Sequence, residues 1–477
     1  MEVKAAMGAG EYRPTEPSRS EVVIIADGWR KSTFMDLLER GDLPEIQEHY
    51  LQPNTGTLLE NVISNVPSVS IASHASILTG SFQDEHHIPG HRWQAADCSC
   101  CRNYLSLRGP FDVNRDLSSE VTTFLEDAPA GMARIAVQSV VRRGAEIQSS
   151  FLSQHPERIL DKLGQLIIDN PHSRSVAWLP RVDSLSHLES PDSPRVYEEM
   201  KRTSRALGKL ACTLKNAGLW DEASILIAPD HGHRPIQYHT SLKQVMKRAN
   251  IASSVNSRYI DQNRVNIRTS GDGSAYVYLP KSESLHSLEI TEFLASNPEI
   301  SLACYREGTD THVLSDDGYG LLHDNGEDGL TYEVRSGSDP LALTSAEAPT
   351  LAIPSFPLMG KYPDFLHQYS RSYVEGRSAD ILLFADNDTH FGSVPRLGWR
   401  FGYHRGTHGG PSVDEVVVSA IYKGQVSNID RVKPIRSADL LQELGLKSLS
   451  ISGVSDNDLH RSSQLSALVD HRGRRNN

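Results

Sequence analysis

Short apolar runs alternate with amphipathic stretches along this chain. Glu21-Val22-Val23-Ile24-Ile25-Ala26, Ser175–Leu179, Ala223–Ala228, Asp380–Ala385 and Glu415–Ala420 are each continuously or nearly continuously apolar over five or six positions. Unbroken runs of that length predict strands buried on both faces. Between them lie helical patterns, such as 194–217, where Val196, Leu207, Leu210 and Leu214 share one face. Strands alternating with helices predict the α/β class, with a mostly parallel sheet covered by helices.

The pattern fades in two places. Residues 92–150 carry a Cys cluster and little periodicity, and are read as a loop-rich insertion. Residues 255–370 hold Tyr276-Val277-Tyr278-Leu279, many turn signals and a Pro-rich patch at Pro349–Pro363, and are read as an inserted cap subdomain. The core is expected to be 21–254 followed by 371–455. A Gly/Pro/Ser-rich tail, 1–20, is expected before it and a polar tail, 456–477, after it.

Composition narrows the function. The 477 residues include 48 Lys+Arg and 60 Asp+Glu, a net charge of −12. Such a balance argues against general nucleic-acid or membrane-surface binding, which needs a basic footprint. The longest apolar runs are strand-length, well short of a membrane span. Residues 1–20 lack the apolar centre of a secretory signal, so a cytoplasmic protein is expected. Five Cys are too few, and odd in number, for a disulfide scaffold; Cys98, Cys100 and Cys101 lack zinc-finger spacing. The 20 His are unusually many.

In open α/β sheets ligands bind beyond the carboxyl ends of the strands. The first strand ends in Asp27. The second is followed by Asp183 and His187, the third by Asp230-His231-Gly232-His233, and His408 lies between glycines just before the fifth. Taken singly, these are a turn, a helix-face pair, a helix cap and a loop histidine. Together they are a carboxylate and imidazole set suited to zinc and similar ions.

The segment from Asn65 to Gly80, with Ser70 four residues before His74 and Thr79-Gly80 at its close, resembles the nucleophile segment of the alkaline phosphatase superfamily. The nearer resemblance is to its type I phosphodiesterase / nucleotide pyrophosphatase family. It extends from about Val22 to Gly424 and takes in Gly271–Leu279 and Arg377–Leu383. The resemblance implies a three-layer α/β/α fold and two divalent metal ions, usually zinc. Asp183, His187 and His408 would hold one; Asp27, Ser70, Asp230 and His231 would hold the other. It also implies that Ser70 attacks phosphorus and forms a phosphoseryl intermediate that water then cleaves. Ser68 and Ser73 are the rival nucleophiles.

The match departs from the family in three ways. Ser73 stands where the family has Asn. Gly90-His91 replaces a Gly-Asn pair, which makes His91 a candidate donor to a phosphate oxygen. Ile71 replaces the aromatic residue on which nucleotide bases stack. Arg92, Arg142 and Arg143 are candidates for holding a terminal phosphate. The expected function is metal-dependent hydrolysis of phosphodiester or pyrophosphate bonds in a small phosphorylated substrate. The alternatives are a phosphomonoesterase or phosphonate hydrolase of the same superfamily, or a non-catalytic binder of phosphorylated ligands. Substrate and oligomeric state stay open.

Overall fold

The structure is a computed structural model. It describes residues 20–447 apart from 54, 152, 281–286, 327–328, 346, 393–403 and 425–428. Almost all of both expected tails lies outside the described residues.

Eight strands form the main sheet, in the order Ile435–Arg436, Gly56–Ile63, Val417–Lys423, Ser224–Ala228, Glu21–Ala26, Ser173–Leu179, Ala133–Val137, Ile147–Ser149. Only Val417–Lys423 runs against the others. The central strand shows why apolar continuity was the right signal. Val22, Ile24 and Ala26 pack with the helices Lys31–Glu39, Pro156–Asp169 and Pro194–Asn216. Val23 and Ile25 point the other way, into a second cluster with the helix Ser70–Thr79. The sheet is thus covered on both faces, giving three layers. Helix Pro194–Asn216 starts where the Ser193 side chain accepts the N–H of Arg195, with Pro194 at its first position.

A second sheet holds nine strands between Ser253 and Ala385. It is antiparallel except where Ser253–Val255 pairs with Val265–Ser270. One expectation is corrected here. Ile381–Ala385 is not a strand of the parallel sheet; it pairs antiparallel with Ser274–Tyr278 and Ile300–Glu307 in the second sheet. All five of its residues are buried, so its sequence looks like that of any core strand. The stretch 92–150, read as an insertion, contributes two strands to the main sheet, Ala133–Val137 and Ile147–Ser149.

Topology gathers the chemistry at one edge. Strands Glu21–Ala26, Ser173–Leu179 and Ser224–Ala228 are neighbours and parallel, so the residues after each meet at their carboxyl ends. Val417–Lys423 runs opposite, so the segment before it, with His408, arrives at the same edge. Gly56–Ile63 leads there too, into the turn that starts the Ser70 helix. Among the described residues no helix is long and apolar enough to cross a membrane.

Candidate metal centre

The structure brings Asp27, Ser70, Asp183, His187, Asp230, His231 and His408 together. Asp183 and His187 lie one turn apart on the helix Arg181–Glu189, with His187 Nε2 3.5 Å from Asp183 Oδ1. His408 Nε2 is 3.7 Å from the same oxygen. His231 Nε2 is 3.6 Å from both Asp27 Oδ1 and Asp230 Oδ2, and 3.0 Å from Ser70 Oγ.

The three histidines share one tautomer. His187 Nδ1 donates to Gly406 O, His231 Nδ1 to Gly232 O and His408 Nδ1 to Ser68 O, at 3.0, 3.0 and 2.8 Å. Holding each Nδ1–H on a backbone carbonyl leaves each Nε2 lone pair facing the carboxylates, the arrangement of a metal-ligating histidine with its outer-shell partner. Burial pushes the pKa of His187 down and that of His408 well down, so both rings stay neutral.

The carboxylates are equally constrained. Burial, then the neighbouring Asp230 and Asp183, push the Asp27 carboxyl well above its ordinary range. Burial raises Asp183 to about 7. Burial also acts to raise Asp230, but its neighbours His231 and His74, the latter through a hydrogen bond from Nε2 at 2.9 Å, outweigh it and leave the group below the ordinary range. Asp230 Oδ1 further accepts the N–H groups of Gly28 and His231. Among the described residues, Asp27 Oδ1 and Asp183 Oδ1 are buried without any hydrogen-bond partner. Buried, unpaired carboxylate oxygens aimed at neutral imidazoles fit cations, which would supply the missing charge and bonds.

Two residues were missed in the sequence. His233 is fully buried, neither of its ring nitrogens has a hydrogen-bond partner among the described residues, and its Nε2 lies 3.4 Å from Asp183 Oδ1. It joins Asp183, His187 and His408 in a metal-capable group whose donor atoms all lie within 4.8 Å of one another. Its signal was present: it stands two residues after His231 in the same post-strand loop. Trp178 donates Nε1–H to Asp27 Oδ2 at 2.7 Å. No sequence signal marked it, since it reads as one more strand residue.

Ser70 is the first residue of the helix Ser70–Thr79. Its rivals are occupied. Ser68 Oγ donates to Gly410 O and accepts from Gly409 N, and Ser73 Oγ is buried against Ser64 Oγ. His91 lies near the centre but is tied to the helix start, where its Nε2 accepts the N–H of Ile71 at 3.3 Å. That leaves Nδ1 as its only ring donor, and burial lowers its pKa to about 3. Arg143 is spent on Glu126 and on the carbonyls of Leu117, Ser118 and Val121. Arg92 donates to Thr269, and Arg142 lies over the Phe111 ring.

The profile of the type I phosphodiesterase / nucleotide pyrophosphatase family matches residues 22–103 and 142–411. The chain belongs to this family. The match takes in every residue of the centre and most of both sheets. The chain is 23% identical over 218 residues to bis(5'-adenosyl)-triphosphatase ENPP4 of Bos taurus, and likewise to that of Homo sapiens, covering 44% of this chain and 47% of each relative. It is 23% identical over 248 residues to an uncharacterized pyrophosphatase/phosphodiesterase of Schizosaccharomyces pombe, covering 48% of each. The chain thus spans about half the length of the curated relatives it matches. Among solved structures, murine ectonucleotide pyrophosphatase / phosphodiesterase 5, an inactive variant in complex with AMP, superposes with a TM-score of 0.57 at 15% identity, covering 92% of this chain and 98% of that one. The fold is alkaline phosphatase-like.

Proposed function

We propose that this family member hydrolyses phosphodiester or pyrophosphate bonds with Ser70 as nucleophile beside two divalent cations, zinc by resemblance to the family. The observation that carries the reading is the position of Ser70. Its hydroxyl opens a helix, is 7% exposed, and stands 3.0 Å from His231 Nε2 at the rim of the carboxylate–imidazole group.

Asp183, His187 and His408 would hold one cation, with His233 added to that set; Asp27, Ser70, Asp230 and His231 would hold the other. Bound there, the cations lower the pKa of the serine hydroxyl and offset charge on phosphoryl oxygens. The chain's own residues do the rest. The start of the helix that carries Ser70 turns its positive end toward the anion, with the Ile71 amide already held by His91. His91 Nδ1 would donate to a phosphoryl oxygen. Ser70 Oγ displaces the alcohol or nucleotide in line, leaving the phosphoryl group on serine, and water from the vacated side frees it. The second sheet takes the part expected of the cap.

The relatives' names point to dinucleotide and nucleotide substrates. Ile71, however, is buried in the core and offers no shelf for a base. The phosphate bridge, more than the base, is then the recognised feature. The test compares bis(p-nitrophenyl) phosphate, p-nitrophenyl phosphate and bis(5'-adenosyl) triphosphate as substrates of the zinc-loaded full chain and its Ser70→Ala variant. Preference for the diester or triphosphate, abolished by Ser70→Ala, is expected. Preference for the monoester moves the protein to the alternative class. Binding without turnover makes it a binder of phosphorylated ligands, and unchanged turnover in Ser70→Ala removes serine from the mechanism.

A further inference from the structure

Next to this centre stands a second group of donors that the proposed reaction does not use. Asp272 lies in the turn between the strands Val265–Ser270 and Ser274–Tyr278 of the second sheet. His390 belongs to the short strand Thr389–His390, and His404 precedes His408 by one helical-turn spacing. His390 Nε2 and His404 Nδ1 are each 3.9 Å from Asp272 Oδ2. The donor atoms of the three residues all lie within 4.8 Å of one another.

These separations are too long for hydrogen bonds, so the donors converge without satisfying one another. His404 Nδ1 is buried with no hydrogen-bond partner among the described residues, and the His390 side chain is only 6% exposed. Metal–ligand bonds of about 2.0–2.2 Å hold ligand atoms roughly 3.3–4.3 Å apart, so small side-chain movements would close the group on an ion. The frame for that closure exists. Phe391 N donates to Asp272 O at 2.7 Å, which ties the carboxylate's segment to that of His390. Asp272 also bridges to His408 through the backbone. Thr407 Oγ1, itself donating to Gly271 O, lies 3.4 Å from His390 Nδ1, where an outer-shell partner orients a ligating ring.

We propose that Asp272, His390 and His404 hold a further divalent cation, of the zinc, cobalt or manganese class that two imidazoles and one carboxylate suit. With three protein ligands the ion keeps open positions. Asp272 and His404 are 26% and 29% exposed, so those positions face solvent and can take water or an anionic oxygen. The His404 ring is 4.8 Å from that of His187, so an anion held there borders the paired centre. None of the three ligands belongs to that centre, and the site stands or falls separately from the reaction proposed above.

The experiment is metal counting on the full chain, stripped with chelator and then dialysed against zinc or cobalt. Three ions per chain are expected in the wild type and two in His390→Ala. His404→Gln, at a partly exposed position, should also hold two and guards against misfolding of the first variant. Asp183→Asn should retain the ion of the further site, seen in the cobalt visible spectrum as bands that vanish in His404→Gln. Equal ion counts and unchanged cobalt bands in wild type, His390→Ala and His404→Gln overturn the proposal and leave the paired centre untouched. A wild type whose only ion is lost in His404→Gln upholds the further site and overturns the paired one.

Discussion

The Nε2 atom of His233 stands 3.4 Å from Asp183 Oδ1, and neither nitrogen of that ring has a hydrogen-bond partner among the described residues. A buried imidazole without a partner is costly unless something binds it. With His233 included, the Asp183 group has four protein donors, enough to complete a tetrahedral site, whereas catalytic zinc ordinarily keeps a position open. His233→Ala should weaken binding of that ion by at least the roughly 10–100-fold that loss of an outer-shell partner costs. Zinc competition with a chromophoric chelator measures it, and unchanged affinity would make His233 a packing residue.

Gly28 supports the same centre from behind. Its φ is +70°, and a Cβ there would lie 2.8 Å from Asp183 Cα and 3.0 Å from His233 Nδ1. Both the left-handed backbone and the contact oppose a side chain. Gly28→Ala should cost on the order of 1–3 kcal/mol of stability and lower zinc affinity with it. Thermal unfolding and chelator competition on one sample test this; a variant impaired in neither refutes the contact.

Cation removal has a pH signature. In the metal-free chain Asp183 titrates at about 7, raised by burial above its ordinary 3.8. The folded state therefore holds a proton that the unfolded state releases, and this contribution to stability is lost as pH rises through about 4 to 7. Zinc competes with that proton. The increase in melting temperature on adding zinc should grow across the same window and level off above it; an increase independent of pH would contradict it.

Acid sensitivity has a source outside the centre as well. His86 is buried, its Nε2 donating to Ser76 Oγ and its Nδ1 accepting the N–H of Ile88. Burial lowers its pKa from 6.5 to about 3. Its neutral form favours the fold above pH 6.5, and that advantage erodes as pH falls towards 3, by a few kcal/mol at about pH 4. His86→Gln should flatten the fall in melting temperature between about pH 6.5 and 4 relative to wild type. An identical slope would exclude His86 as a source.

Much of the centre was legible because its residues follow strands, and strand ends can be read from apolar runs. Asp27, Asp183, His187, Asp230, His231 and His408 were found that way, and a resemblance supplied Ser70. His233 stands in the same loop, Asp230-His231-Gly232-His233, but has no place in the ligand sets the resemblance implies, although all four residues of that loop are buried. The group of Asp272, His390 and His404 was not legible in the sequence, because the antiparallel sheet that carries Asp272 leaves only a faint pattern. Ile381–Ala385 was misplaced for the related reason that burial on both faces erases the difference between a parallel and an antiparallel strand.

Synthesis order follows from the place of Val417–Lys423 in the main sheet. That strand lies between Gly56–Ile63 and Ser224–Ala228. On the ribosome the early strand Gly56–Ile63 therefore has no link to the rest of its sheet until about 190 further residues, the whole second sheet among them, follow Ala228. At roughly 5–20 residues per second this is a wait on the order of 10–40 s. During that time the edge of Ser224–Ala228 is unpaired, so the nascent chain is exposed to chaperones and to edge-to-edge association far longer than its finished sheet, where that strand is interior, suggests.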